Sequence, residues 1–248
     1  MNAAPAPPKI EWPTAATDAE LIEYVTACRR FVESVTPETL VGNLAGHLAL
    51  HASIVRPALA RVVQPGAQVL DFGCGVGRLS ELLVRMRCRV VGADLSRPAI
   101  VRASQIVPEG VFVVLPGTGE LPFPPETFDA VVTMITLQHI QFFPVRHRYL
   151  FELHRVLRPG GRFLAQLNSD DSGAHIRWFE RGESGRYFGA PDVVCNEAEI
   201  ETHLETLGFG VDTTWRTAAD TTTISWNQHA VGKTGAWLWV LATKSVRQ

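Results

Sequence analysis

The residues best suited to bind a ligand lie in the stretch VLDFGCGVGR, residues 69–78. A short apolar run leads to Asp71, and glycine then occupies every second position, at Gly73, Gly75 and Gly77. This pattern predicts a buried strand, a tight loop whose backbone amides face a ligand, and a helix. A carboxylate at the end of a buried strand needs a partner, and a cationic ligand group would serve. The alternative, a tight turn with a structural Asp71, is disfavoured by the density of small residues.

A second carboxylate follows the next predicted strand. Residues 89–93 form a short apolar run that ends at Asp94, and Ser96 with Pro98 marks the start of a helix. A carboxylate in this position can accept hydrogen bonds from both hydroxyls of a ribose. An isolated Asp there is commonly a turn or cap residue. Together with the glycine loop, Asp94 predicts nucleoside binding.

The elements that position these carboxylates alternate between strand and helix. Strands are predicted at 68–72, 89–93, 111–115, 128–134 and 162–167. Such alternation implies right-handed crossovers and a parallel sheet, with ligands outside the carboxyl ends of the strands. Two further strands, 210–217 and 236–243, are joined by a linker too short for a crossover helix, which predicts antiparallel pairing. The expected fold is α/β, with a doubly wound and mostly parallel sheet.

The remaining segments predict an extension and an insert. Residues 1–64 combine a Pro/Ala-rich tail with a helical extension, whose first helix starts at a capping box from Thr17 to Glu20. Residues 65–248 are predicted to form the core domain. A segment rich in glycine and aromatic residues, around 169–196, is predicted to be a lid-like insert.

Composition limits the classes of partner. The 248 residues are 19% charged with a formal net charge of −2, so no nucleic-acid partner is predicted. The four cysteines are scattered without zinc-ligand spacing, which predicts no metal site and reduced thiols in a cytoplasmic protein. No apolar run has the length of a membrane span, and the amino terminus lacks the features of a signal peptide. A small-molecule substrate, no membrane and a possible homodimer are therefore expected.

In order and spacing, the chain resembles the class I S-adenosylmethionine-dependent methyltransferases. The segments that carry the resemblance are VLDFGCGVGRLS (69–80), VVGADLS (90–96), LPFPPETFDAVVT (121–133), LQHI (137–140) and HRVLRPGGRF (154–163). The resemblance implies a seven-stranded sheet whose last strand is antiparallel, which agrees with the pairing expected for the last two strands. It also implies S-adenosylmethionine as the cofactor.

The resemblance implies a role for several residues at the edge of the sheet. The implied cofactor contacts are Asp71, Gly73, Cys74 and Gly75 for the methionine moiety, Asp94 for the ribose, Leu95 for the adenine face, and Met134 and Ile135 for the methionine end. Many relatives carry an Asp four residues before the Leu of "LPF", where this chain has Gly117. Thr118 or the nearby backbone would then bind the adenine amino group, with Glu120 the weaker substitute.

The expected reaction is an in-line transfer of a methyl group to an N or O atom of a small-molecule acceptor. His139 follows the fourth strand and is the candidate general base for a hydroxyl acceptor, with a packing or capping role as its alternative. Trp178 and Tyr187 in the insert and His229 in the last linker are candidate acceptor contacts. The alternative for Trp178 and Tyr187 is an ordinary hydrophobic cluster under a loop, and the alternative for His229 is a structural role in a turn.

Two other functions fit parts of the pattern. An NAD(P)-dependent oxidoreductase requires G-x-G-x-x-G, whereas this loop is Gly73-x-Gly75-x-Gly77, and Asp71 would repel a pyrophosphate. A protein that keeps the cofactor site without turnover would carry the same residues. Binding of S-adenosylmethionine in preference to NADH would distinguish a methyltransferase from an oxidoreductase. Methyl transfer to an acceptor would distinguish an enzyme from a protein that only binds the cofactor.

Overall fold

A seven-stranded sheet forms the centre of the fold. The computed structural model describes residues 14–34, 54–169, 176–181, 192–218 and 236–245. In chain order the strands are β1 (Gln68–Phe72), β2 (Arg89–Asp94), β3 (Val111–Val114), β4 (Phe128–Met134), β5 (Leu157–Ser169), β6 (Ile176–Arg177), β7 (Val193–Val194), β8 (Phe209–Ala218) and β9 (Ala236–Lys244). Seven of them form one sheet in the order β3-β2-β1-β4-β5-β9-β8, and β6 pairs separately with β7.

The strand directions establish the topology. The pairs β1–β2, β2–β3, β1–β4 and β4–β5 are all parallel. The last strand, β9, is antiparallel to both of its neighbours, β5 and β8. The strand order reverses between β1 and β4, and ligands of open α/β sheets bind at this switch point. The predicted fold, a doubly wound sheet with an antiparallel last strand, is confirmed.

Helices cover both faces of the sheet. They are α1 (Asp18–Ser34), α2 (Arg78–Arg85), α3 (Arg97–Ile106), α4 (Phe143–Val156) and α5 (Glu197–Thr206), and residues 54–59 are also helical. Alternate residues of a strand point to opposite faces. Accordingly Leu70 and Val131 pack with α1, α4 and α5, while Val69 and Val132 pack with α2 and the segment 55–63. No helix in these described ranges is both long and apolar enough to cross a bilayer.

The start of the fifth strand differs from the prediction. The sequence predicts this strand over 162–167, whereas β5 already begins at Leu157. The pairing with β4 jumps from Phe128–Leu157 to Ala130–Arg162, so the additional residues of β5 form a bulge. The predicted start of the strand at residue 162 is therefore wrong, because the preceding proline–glycine segment lies within the strand as a bulge.

The first helix belongs to the same core as the sheet. Tyr24, Val25 and Cys28 of α1 are buried in the cluster that contains the sheet residues of that face. The predicted capping box is confirmed, since Thr17 N donates to Glu20 Oε2 at 2.8 Å and Glu20 N donates to Thr17 Oγ1 at 3.3 Å. The division of the chain at residue 64 stays a prediction.

Candidate cofactor and acceptor site

Contacts among neighbouring strands bring the predicted site residues together. After β1, the Gly73 carbonyl oxygen lies 3.4 Å from Thr136 Oγ1, which follows β4. In the same loop, Gly75 N donates to Asp94 Oδ2 of β2 at 2.9 Å. The carboxyl ends of β4, β1 and β2 therefore form one continuous edge at the switch point, as the sequence predicts.

Gly73 and Gly75 serve different purposes in this loop. Both have positive φ angles, +76° and +52°, which favour glycine. A Cβ on Gly73 would lie 2.1 Å from Thr136 Oγ1, so Gly73 lets the ends of β1 and β4 pack closely. A Cβ on Gly75 would meet no atom within 4 Å. The open space is therefore beside Gly75, where a ligand can lie against the main chain.

The two glycines give a matched pair of substitutions. We expect Gly73→Ala to lower the free energy of unfolding by about 3 kcal/mol, because left-handed strain and overpacking add. Gly75→Ala should cost only about 1–2 kcal/mol, the strain alone, but should weaken cofactor binding because its methyl group occupies the open space. Urea unfolding and titration with S-adenosylhomocysteine measure the two effects. Equal destabilisation by both substitutions would contradict this assignment.

The backbone amides of the loop are used within the protein. Gly73 N and Cys74 N both donate to the Ala93 carbonyl oxygen, at 2.7 and 3.2 Å. Gly75 N is bonded to Asp94, as described above. These three amides therefore join β1 to β2, and the role of the loop backbone in holding the methionine moiety stays a prediction. The Cys74 side chain is buried, which raises the pKa of its thiol, so it remains protonated and packs as a small apolar group.

Asp71 is a buried carboxylate that favours an added cation. It is 1% exposed, and Ser80 Oγ donates to its Oδ2 at 2.6 Å. The pKa of Asp71 is raised to about 7, mainly by burial, with the charge of Asp94 adding to the rise, while the hydrogen bonds from Ser80 and the charge of Arg78 lower it. Because the net shift is still upward, these neighbours do not fully stabilise the ionised form. The ammonium group of an amino acid would do so.

Binding of that ammonium group should depend on pH through Asp71. A raised pKa means that the free protein holds a proton on Asp71 below about pH 7, and that proton must leave before an ion pair forms. We expect the affinity for S-adenosylhomocysteine to rise about tenfold per pH unit between pH 5.5 and 7, as expected for release of one proton. Calorimetric titration should show this slope in the wild type and in Asp212→Asn, a control on β8. Asp71→Asn should bind weakly with no slope.

Asp94 presents two carboxylate oxygens at the end of β2. Ser96 N donates to Oδ1 at 2.8 Å, and Gly75 N donates to Oδ2 as described above. Burial raises the pKa of Asp94, and the backbone hydrogen bonds from Ser96 and Gly75 counteract this. Each carboxylate oxygen can accept a second hydrogen bond. The residue is therefore fixed in orientation and still able to accept from a ribose diol.

Leu95 and Gly117 lie together beside α1. A Cβ on Gly117 would lie 3.1 Å from Leu95 Cδ1 and 3.4 Å from Val25 Cγ1. Gly117 also has a φ angle of +89°, which favours glycine. The position where many relatives carry an Asp is thus closely packed in this chain, and Leu95 forms an apolar surface next to it.

Thr118 carries an unpaired polar atom in this region. Its Oγ1 is buried and has no hydrogen-bond partner among the described residues. The loop around it is held by Arg29 Nη2, which donates to the Pro116 carbonyl oxygen at 3.1 Å. Buried hydroxyl groups are ordinarily hydrogen-bonded. An adenine amino group is a suitable donor for Thr118, so the residues present fit this cofactor at its adenine end.

A strained residue follows β4. Ile135 has a φ angle of +56°, which is rare for a β-branched residue. Ile135 N donates to the Gln166 carbonyl oxygen at 3.1 Å, and Thr136 Oγ1 donates to the Met134 carbonyl oxygen at 3.0 Å. These bonds hold the strained turn at the predicted methionine end of the site. Such strain persists only where the surroundings fix it, and it is common at functional sites.

His139 contacts the carboxylate of Asp192 close to this turn. It lies in the single 3-10 turn Leu137–His139, and its backbone N–H donates to the Thr136 carbonyl oxygen at 3.0 Å. His139 Nδ1 lies 2.8 Å from Asp192 Oδ1. Desolvation alone would lower the pKa of His139, but the charge and the hydrogen bond of Asp192 outweigh it and raise the pKa. The His139 side chain is 46% exposed, so its outer edge is accessible.

The structure places Trp178 in the core. Its side chain is fully buried, and its indole Nε1 donates to His203 Nδ1 at 3.0 Å. The guanidinium of the buried Arg146 lies 4.7 Å from the centre of the indole ring and donates to the Trp178 carbonyl oxygen. These contacts favour the packing role over the acceptor-binding role for Trp178. Tyr187 and His229 lie outside the described residues.

Sequence reasoning missed Asp192 and the role of Gln138. Gln138 stands in the LQHI segment, but its neighbour in space is 54 positions away along the chain. No local pattern indicates such a contact. Thr136, which joins β4 to the glycine loop, was also missed, although the small Gly73 opposite it gives a hint that a side chain packs there.

Comparison with known proteins agrees with this geometry. Residues 70–165 match the Methyltransferase domain family. A ubiquinone biosynthesis O-methyltransferase of Rhizobium johnstonii is 31% identical over 192 residues, which cover 69% of this chain and 71% of that protein. An uncharacterized methyltransferase of Synechocystis sp. is 38% identical over 103 residues, 41% of this chain and 47% of the relative. The chain spans about half the length of this and similar relatives.

Solved structures show the same fold. A Methanosarcina mazei structure described as an S-adenosylmethionine-dependent methyltransferase superposes with a TM-score of 0.64 at 21% identity, covering 77% of this chain and 98% of the other. The sheet order, the glycine loop between β1 and α2 and the sequence relatives thus agree with one another. The chain belongs to the class I S-adenosylmethionine-dependent methyltransferases, the family in which S-adenosylmethionine is the cofactor.

Proposed function

We propose that the protein transfers a methyl group from S-adenosylmethionine to an oxygen or nitrogen atom of a small molecule, with His139 as the general base for a hydroxyl acceptor. The observation that carries this proposal is the position of His139. Its Nδ1 contacts a buried carboxylate, and nearly half of its side chain is exposed, in the turn that follows β4. Family membership supports methyl transfer over the oxidoreductase alternative.

The cofactor end of the proposal rests on three unsatisfied features. Asp71 favours an added cation, Gly75 borders open space, and Thr118 Oγ1 has no partner in the described part of the chain. These would hold the ammonium group, the chain of the amino acid and the adenine amino group. When bound, S-adenosylmethionine supplies an electrophilic methyl group on a sulfonium centre. The chain's own task is then to align the acceptor and exclude water.

The acceptor end depends on proton transfer. A neutral hydroxyl is a weak nucleophile, and a base that titrates near neutral pH removes its proton as the new bond forms. His139 Nε2 is available for this because Nδ1 faces Asp192. The O-methyltransferase from Rhizobium johnstonii supports an oxygen acceptor. An amine acceptor needs a base only when it is protonated, which makes the two acceptor classes distinguishable.

Two measurements test the proposal. Calorimetry should detect binding of S-adenosylmethionine, and labelled cofactor should transfer its methyl group to members of a panel of catechols, phenols and amines. We expect transfer to a hydroxyl compound, faster at pH 8 than at pH 6, because His139 must be unprotonated. Cofactor binding without transfer to any compound or to a metabolite extract would favour the non-catalytic binding protein.

A further inference from the structure

We propose that Asp192 is a positioning residue for methyl transfer, and that Gln138 holds its carboxylate in place. Asp192 keeps His139 in the tautomer whose Nε2 is free to take a proton from the acceptor. The inference rests on the proposed function, and it assigns to two residues roles that the sequence does not indicate.

Both carboxylate oxygens of Asp192 contact side chains of the same short turn, Leu137–His139. Oδ1 lies 2.8 Å from His139 Nδ1, and Oδ2 accepts a hydrogen bond from Gln138 Nε2 at 3.0 Å. Asp192 is 6% exposed and Gln138 is 3% exposed. A buried carboxylate with two bonds of this kind cannot rotate freely, so it fixes the plane and direction of the imidazole ring.

The carboxylate is also fixed from its own side of the chain. Asp192 directly precedes β7, whose residues Val193 and Val194 are buried. Cys195 N donates to the Asn168 carbonyl oxygen of β5 at 3.4 Å, and β7 pairs in parallel with β6. Asp192 is therefore attached to the central sheet within three residues. The described end of the insert therefore supports His139 from the central sheet.

This arrangement sets the proton positions. When Nδ1 carries a hydrogen and donates to Asp192, the lone pair of neutral imidazole is on Nε2. The acceptor's O–H bond breaks as Nε2 takes the proton. The oxygen's electron pair forms the new bond to the methyl carbon, and the sulfur keeps the pair of the broken carbon–sulfur bond. The imidazolium that forms is stabilised by Asp192 and later releases its proton to solvent.

A purely structural ion pair would predict a different environment. A contact that only attaches the insert to the core requires no accessible ring edge, yet nearly half of the His139 side chain is exposed. Among the described residues, Asp192 is the charged group bonded to His139. The Gln138 amide nitrogen donates a hydrogen bond to that carboxylate and not to the imidazole ring. The geometry is that of an oriented base.

Nitrogen NMR of the imidazole tests the positioning role without turnover. Protein labelled with ¹⁵N-histidine is loaded with S-adenosylhomocysteine, and the shifts of His139 report its tautomer and its titration midpoint. We expect the wild type to hold the Nδ1–H form at pH 8. Asp192→Asn should lose that preference and lower the midpoint by about 1 pH unit, the effect of removing a paired charge. Gln138→Leu, which keeps the carboxylate, should give a smaller shift in the same direction.

A control and a rate measurement complete the test. Arg177→Gln removes another ion pair of the insert, that with Glu199, and should leave the His139 spectrum unchanged. With an active acceptor, Asp192→Asn should lower kcat about 100-fold, the lower end of a general base's contribution, with cofactor affinity retained. An Nε2–H tautomer in the wild type, or the same midpoint in Asp192→Asn and Arg177→Gln, would overturn the inference. Failure of wild-type turnover would count against the proposed function alone, because the spectra still decide the positioning role.

Discussion

Replacing His139 by alanine is expected to lower kcat for a hydroxyl acceptor by about 100- to 10,000-fold, the range that a positioned general base contributes. The binding constant of S-adenosylhomocysteine should stay the same, because the contacts of His139 in the described chain are with Asp192 and the turn after β4. Steady-state kinetics with a phenolic acceptor measures the first effect and calorimetry the second.

Added imidazole provides the control for the His139→Ala variant. The missing side chain leaves an accessible position, so free imidazole should restore part of the rate, and the restored rate should rise with pH through the pKa of imidazole. A more acidic phenol should lose less activity in the variant, since it needs the base less. A rate equal to that of the wild type would remove His139 from the mechanism.

Asp94→Ala is expected to weaken the binding of S-adenosylhomocysteine by about 10- to 100-fold. A hydrogen bond to a charged group contributes about 1.5–3 kcal/mol, and each factor of ten corresponds to about 1.4 kcal/mol. The substitution also removes the acceptor of Gly75 N and Ser96 N, which loosens the loop itself. Calorimetric titration measures the change.

Two further variants identify the cause of the Asp94 effect. Asp94→Asn keeps one oxygen acceptor and should lie between the wild type and Asp94→Ala. Asp212→Ala removes a half-exposed carboxylate on β8, paired with Arg162, and should not alter the affinity. If Asp94→Ala changes the affinity less than threefold, the ribose is bound elsewhere.

The positions of the residues proposed to bind the cofactor were predictable because their signals are local. Asp71 and Asp94 each end a short apolar run, and parallel strands bring such ends to one edge. The capping residue Ser96 also followed from sequence, and its Oγ accepts from Ala99 N at 3.3 Å as expected. In each case the determining residues lie within a few positions of one another.

The acceptor half was not predictable, because its contacts join distant segments. The partner of His139 lies 53 positions away, at the end of a segment without periodicity. An aromatic residue such as Trp178 is common in binding sites, and only its contacts with Arg146 and His203 show that it packs in the core. The start of β5 was placed five residues too late because proline and glycine usually occur in turns outside strands. The acceptor contacts of Tyr187 and His229, and a homodimer, stay predictions.

The internal hydrogen bonds of the loop amides affect which cellular adenine compounds can compete for the cofactor site. Asp94, Leu95 and Thr118 are features that any adenosine derivative could satisfy, including nucleoside phosphates. The loop after β1 offers those phosphates no free amide from Gly73, Cys74 or Gly75, and it presents the buried carboxylate of Asp71 instead. The Asp71 carboxylate therefore repels a phosphate group and attracts an ammonium group. We therefore expect this loop to discriminate against nucleoside phosphates above pH 7, where Asp71 is ionised, without any contact with the base or the sugar.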